Sequence, residues 1–164
     1  MVKLLIEYGA TAKHIDETGW SPLIQILRHY RSDSYAIVEL LIGNGANINF
    51  SESNTTPIWV ASAMRPQKYT PGKGNAYDDV YDEDIAIGIT DIVKLLAENG
   101  ADINAESTSG FTVLMNASYQ GNLPLVVYLL EIGADKTAKD EKGKTAYDYA
   151  MEREKKEIAK LLKL

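Results

Sequence analysis

The chain has 164 residues, 45% of them hydrophobic and 24% charged, no cysteine, and a formal charge of −6 at neutral pH. This is the composition of one globular domain of ordinary size, and it excludes disulfides, thiolate zinc sites and cysteine nucleophiles. The charge is uneven, with 8 Lys and Arg against 17 Asp and Glu in residues 1–135 but 9 against 6 in residues 136–164, so most of the surface lacks the basic footprint of a nucleic-acid binder.

The amino terminus, Met1 to Glu7, has an acid inside its apolar run and no small-residue cleavage site, which makes it a poor signal peptide. No apolar stretch reaches the roughly 20 residues of a membrane span. Val2-Lys3-Leu4-Leu5, followed by Gly9-Ala10, reads as a second helix without its first, so the chain is expected to be a fragment of a longer array or to tolerate an irregular cap. The Gly-Ala phrase returns at Gly45-Ala46, Gly100-Ala101 and Gly133-Ala134, at intervals of 36, 55 and 33 residues. A unit near 33 residues marks a solenoid, whose units bury their apolar faces only by stacking on neighbours. Each glycine follows an amphipathic segment (Val38-Glu39-Leu40-Leu41, Val93-Lys94-Leu95-Leu96, Val126-Val127-Tyr128-Leu129) and suits the left-handed exit of a helix.

A second signal opens the other helix of each unit: Gly19-Trp20-Ser21-Pro22, Asn54-Thr55-Thr56-Pro57, Gly110-Phe111-Thr112-Val113 and Gly143-Lys144-Thr145-Ala146. Ser21, Thr56, Thr112 and Thr145 are expected as N-caps, with proline at the first helical position in two of the copies. Small residues then follow at Ala61, Ser62, Ala117, Ser118 and Ala150, where helices must approach closely. From Thr112 to Gly133 is 21 steps; from Ser21 to Gly45 it is 24, which predicts one extra helical turn at Arg28 to Asp33. From Thr56 to Gly100 it is 44, an insertion at roughly 65–87 with the turn chemistry of Pro71-Gly72-Lys73-Gly74-Asn75 and five acids around Tyr77 and Tyr81. That insertion reads as a solvated excursion, as a second contact surface, or as a calcium site, although the ligand spacing of a calcium loop is missing. At the carboxyl end, the charged run before Ile158 to Leu164 suits a terminal repeat, and the natural end is expected there.

Taken together, Gly-x-Thr-Pro-Leu-type openings and Val-x-Leu-Leu-x-x-x-Gly-Ala-Asp closings resemble the ankyrin repeat over nearly the whole chain. The histidine usual after Thr-Pro-Leu is replaced by Ile24, Trp59, Met115 and Asp148. The resemblance implies an all-α solenoid of helix-turn-helix units joined by hairpin loops. It divides one domain over 1–164 into a partial repeat (1–15), repeats at 16–50, 51–105 and 106–138, and a capping repeat at 139–164. It also implies a binding face on hairpin tips and first helices. Mapped onto this sequence, that face comprises Trp20, Gln25, Arg28, Glu52, Val60, Met64, Glu106, Phe111, Asn116, Tyr119, Lys144 and Tyr149, with Tyr77 and Tyr81 from the insertion. Trp20 and Phe111 share one slot, either as interface anchors or as cover for the neighbouring hairpin. Trp59 is expected in the core.

The function expected is protein binding without catalysis, cofactor or metal. The rival is a regulatory or structural segment of a longer repeat protein, or a metal-binding insertion at 65–87. Only His14 and His29 are present, and no phosphate loop or serine elbow appears. The expected partner is another protein with a basic or mixed patch, not nucleic acid and not membrane, bound by a monomer. The location expected by default is cytoplasmic, and delivery into a host cell would leave the same sequence.

Overall fold

The computed structural model describes residues 8–17, 19–28, 31–51, 55–69 and 77–163, by backbone alone at 67–69 and 77–80. The helix expected at Val2 to Ile6 and the tip residue Glu52 lie outside the described residues. Among the described residues the order is α1 (Pro22–Leu27), α2 (Ser34–Gly43), α3 (Pro57–Ser62), β1 (Gln67–Tyr69), β2 (Tyr77–Tyr81), α4 (Glu83–Glu98), α5 (Val113–Gln120), α6 (Leu123–Glu131), α7 (Ala146–Glu152) and α8 (Lys156–Leu162). Helices α1, α3, α5 and α7 stack in one layer, α2, α4, α6 and α8 in a second, and each first helix packs on its own second helix. Helices of six to nine residues are unstable alone in water. Burial between the layers holds them, through Leu23, Leu27, Ile58, Ile89, Ile92, Leu96, Leu114, Leu125 and Leu129 in one continuous core. No helix among the described residues is long and apolar enough to cross a membrane.

The small residues do what close packing requires: Ala61, Ser62, Ala117, Ser118 and Ala150 are completely buried. The glycines closing the second helices, Gly45, Gly100 and Gly133, take φ of +80°, +93° and +90°. Three of the expected N-caps form. Ser21 Oγ accepts from Ile24 N at 3.2 Å, Thr112 Oγ1 from Met115 N at 3.2 Å, and Thr145 Oγ1 from Asp148 N at 3.4 Å. Thr56 does not follow. Its backbone has the cap conformation, yet the hydroxyl makes no cap bond and is buried without a partner among the described residues. An unpaired buried hydroxyl carries a desolvation cost that an isosteric methyl avoids. Thr56→Val is therefore expected to leave stability within about 0.5 kcal/mol of wild type or to raise it, whereas Thr112→Val loses about 1 kcal/mol. Parallel urea titrations check the difference.

Two expectations about the extra residues are corrected. The additional turn after α1 is not helical at its described positions: the helix stops at Leu27, Arg28 caps it, and Arg31 to Asp33 form a turn leading into α2. The insertion, expected to run between the two helices over roughly 65–87, gives way to helix already at Glu83. It contains an antiparallel hairpin pairing Gln67 with Tyr81 and Tyr69 with Tyr77, closed by Asp82 N donating to Pro66 O at 2.8 Å. Helix α4 then begins at Glu83 and runs for 16 residues where α6 has 9. The acids explain the early start. Asp82 Oδ1 accepts from Ile85 N at 3.0 Å as N-cap, and Glu83 and Asp84 occupy the first turn, where the helix dipole favours negative charge.

Candidate functional site

Each described hairpin tip is a tight turn built on the same bonds. Asp16 N donates to Trp20 O at 3.1 Å, Ser107 N to Phe111 O at 3.0 Å, and Asp140 N to Lys144 O at 3.0 Å. A side chain closes each turn from within: Asp16 Oδ1 accepts from Trp20 N, Ser107 Oγ from Phe111 N, and Asp140 Oδ1 from Lys144 N. Asp16, Ser107 and Asp140 thus hold the tips in shape, and the residue four positions later is aimed at the face of the first helices. Gly110 shows how tightly the tips stack. Its φ is +73°, and an added Cβ would stand 3.3 Å from Asp140 Cα. Glu141 N donates to Ser109 O across the same contact at 3.0 Å.

At the carboxyl end of this face the expected residues converge. Phe111 and Tyr149 meet edge to face with ring centroids 4.7 Å apart, and Tyr119 meets Tyr149 in the same way at 6.1 Å. The Arg153 guanidinium lies over Tyr119 at 4.6 Å. Lys144 lies over Tyr149 at 5.5 Å while pairing with Glu152. Phe111, Tyr119 and Lys144 are half-buried, but Tyr149 is only 7% exposed, so it is a support for the patch rather than its surface. At the other end Trp20 is half-buried with Arg28 over its ring at 4.6 Å, and Gln25 Nε2 donates to Asp16 Oδ2 at 3.0 Å. Glu106 is exposed and bridges to Thr112 through its backbone.

Three residues mapped onto the face stand elsewhere. Val60 and Met64 are buried at 9% and 5% exposure and belong to the core. Helix α3 ends at Ser62, so the helical projection that placed Met64 on the face stops two residues short of it. Asn116 is 5% exposed and turns back toward α3, its Nδ2 3.4 Å from Trp59 O. Of the insertion, Tyr81 is exposed at the foot of the hairpin; only the backbone of Tyr77 is described. Burial, the Glu83 carboxylate and, in the opposite sense, the Leu123 amide act on the Tyr81 phenol and leave its pKa raised. Sequence reasoning missed the part played by Trp59. It is half-buried on the core, as its helix position implies, but its Nε1 also donates to Phe111 O at 2.6 Å and joins α3 to the next hairpin tip.

The electrostatics of the patch are set by the Tyr149–Asp140 bond. Burial first, and then donation to Asp140, push the Tyr149 phenol up to about 12 from its usual 10.0. For Asp140, burial works against the charge, but the bonds from Tyr149 and from the Lys144 and Lys142 amides outweigh it and hold the carboxyl below its usual 3.8. The neutral phenol's contribution is complete below pH 10.0 and is lost as pH rises toward about 12; the carboxylate's is complete above pH 3.8 and is lost as pH falls below it. Tyr149→Phe is accordingly expected to flatten the alkaline fall in melting temperature and part of the acid one, as read by circular dichroism across the pH range. Among the described residues, no three His, Asp or Glu side chains converge on a point where a metal would bind.

The family model described as Ankyrin repeats (many copies) matches residues 96–150. The chain is 48% identical over 61 residues to Ankyrin repeat and SAM domain-containing protein 6 of Rattus norvegicus, which covers 37% of this chain and 7% of that protein. It is 31% identical over 159 residues to Ankyrin repeat protein nuc-2 of Neurospora crassa, covering 96% of this chain and 13% of that one. A third relative, Putative ankyrin repeat protein R664 of Acanthamoeba polyphaga mimivirus, is 27% identical over 134 residues, 79% of this chain and 70% of its own length. The chain therefore spans only a small part of the first two relatives.

Proposed function

The chain belongs to the ankyrin-repeat family, whose members are generally protein-interaction modules, and from that premise we propose that it holds a partner protein against its hairpin tips and first helices without catalysing a reaction. The observation that carries this reading is the aromatic patch of Phe111 and Tyr119, propped by Tyr149 and flanked by Arg153. Aromatic and arginine side chains at the desolvated centre of a contact supply most of its energy. Trp20 with Arg28 forms a second anchor at the far end of the same face. The acidic balance of residues 1–135 favours a partner with a basic or mixed patch, charge there setting encounter rate more than affinity. We read the chain as one monomeric domain, divided as its repeats suggest, and its lack of cysteine suits the cytoplasm or the interior of a host cell.

Affinity capture with the wild-type chain and with Trp20→Ala, Phe111→Ala and Tyr119→Ala tests the face, followed by titration of each captured protein. Phe111→Ala and Tyr119→Ala are each expected to weaken the contact about 30-fold, the size of a 2 kcal/mol anchor. Retention of every captured protein by all three variants would place the contact elsewhere. A second reading, a stacking segment inside a longer repeat protein, is supported by the small share of the rat and Neurospora relatives that this chain covers.

A further inference from the structure

Two asparagines share a slot at the ends of second helices. Asn44 caps α2 and Asn99 caps α4, each directly before the glycine of a Gly-Ala phrase, and both are exposed. They form the two Asn-Gly steps of the sequence; the corresponding position before Gly133 holds Ile132. An Asn-Gly step is chemically labile. When the glycine amide gives up its proton to solvent, its nitrogen attacks the asparagine Cγ. The new N–Cγ bond closes a five-membered succinimide, and the Cγ–Nδ2 bond breaks, the nitrogen leaving as ammonia. Water then opens the ring at either carbonyl, which yields aspartate or isoaspartate and one added negative charge. Glycine has no Cβ to shield the attacking nitrogen.

Both helix ends hold the reacting groups apart. Asn44 Nδ2 donates to Leu40 O and Asn99 Nδ2 to Leu95 O, each at 2.8 Å. The same two carbonyls also accept the backbone amides of Asn44 and Asn99, so one residue clamps one carbonyl twice. The attacking amides are engaged as well: Gly45 N donates to Ile42 O at 2.9 Å and Gly100 N to Ala97 O at 3.0 Å. At ψ of 20° for Asn44 and 11° for Asn99, the next peptide nitrogen points away from the side chain. Ring closure therefore turns that peptide plane and breaks the side-chain and glycine hydrogen bonds together.

The surroundings of the two copies differ. Asn49 Nδ2 donates to Gly100 O at 3.0 Å and ties the end of α4 to the segment that follows α2. Beside Gly45 lies the side chain of Lys13, a cation that favours both the deprotonated amide and the carboxylate product. Asn99 instead follows exposed Glu98, so a new carboxylate there meets an acid as well as the negative end of the helix dipole.

We propose that Asn44 and Asn99 are deamidation sites latched by the fold, each converting only when its helix end opens. An ionised carboxylate has no hydrogen to return to Leu40 O or Leu95 O, so conversion removes the latch that delayed it.

The test is incubation of the full chain in mildly alkaline buffer, folded and in urea, with peptide mapping by mass spectrometry that separates aspartate from isoaspartate. In urea, Asn44 and Asn99 are expected to convert at similar rates and ahead of every other asparagine. Folding is expected to slow both about tenfold or more, as an opening free energy of about 1.4 kcal/mol would, with Asn44 converting before Asn99. Asn99→Asp is expected to lower the melting temperature by about 3 °C, and Asn44→Asp by less because Lys13 lies beside it. Equal rates in the folded and denatured chain, a faster asparagine elsewhere in urea, Asn99 converting first in the fold, or an Asn99→Asp chain as stable as wild type would each overturn the proposal.

Discussion

Asn122→Ala is expected to lower unfolding free energy by about 3 kcal/mol, through a lost N-cap, buried polar groups left unpaired and a small cavity. Asn122 is completely buried at the start of α6. Its Oδ1 accepts from Leu125 N at 3.1 Å and lies 3.4 Å from Thr90 Oγ1, while its Nδ2 donates to Ala86 O at 3.2 Å. One side chain therefore caps α6 and fastens it to α4 in the neighbouring helix pair. Without it the Leu125 amide is stranded where water does not reach. The expected signature goes beyond a lower urea midpoint. Stability in a stacked array is a sum of unit and interface terms, so weakening this interface should broaden the transition and let α5 to α8 exchange amide protons apart from α1 to α4. A loss below 1 kcal/mol with an unchanged slope would show that the network carries little weight.

Trp59→Ala follows with a loss of about 3 kcal/mol, against about 1 kcal/mol for Trp59→Phe, which removes the hydrogen bond but keeps most of the ring. The indole packs on the core and donates to Phe111 O, 52 positions along the chain, across the whole insertion. Helix α3 has only six residues and stacks directly on α5 despite that separation. The long connection is expensive to close in entropy, and the stacking of α3 on α5 with its indole bond is one of the contacts that offset it. Denaturation followed by circular dichroism, with Trp20 left as the sole tryptophan fluorophore in both variants, separates local from global loss. Equal losses in the two variants would assign the whole effect to the hydrogen bond.

How far the proposed binding face was legible depends on the side of the helix concerned. Trp20, Arg28, Phe111, Tyr119 and Lys144 stand where the repeat register places them, because turns closed by Asp16, Ser107 and Asp140 reproduce one geometry. Val60 and Asn116 share one register position with exposed Gln25, yet both are buried. Register assigns a residue to a helix side, but what covers that side belongs to the neighbouring pair. The missing histidines illustrate the same limit. At that slot Asp148 closes a capping box with Thr145, Met115 offers only its sulfur to the Thr112 amide at 3.4 Å, and Trp59 reaches into the next unit.

Repeat spacing, caps, closing glycines and small residues were enough to specify stacked helix pairs, since each is a local requirement of the backbone or of close helical approach. The depth of Val60 and Met64 and the start of α4 at Glu83 came only with tertiary structure. Each depends on which apolar surfaces from distant segments cover one another, and burial is a property of the assembled pair that no single segment encodes.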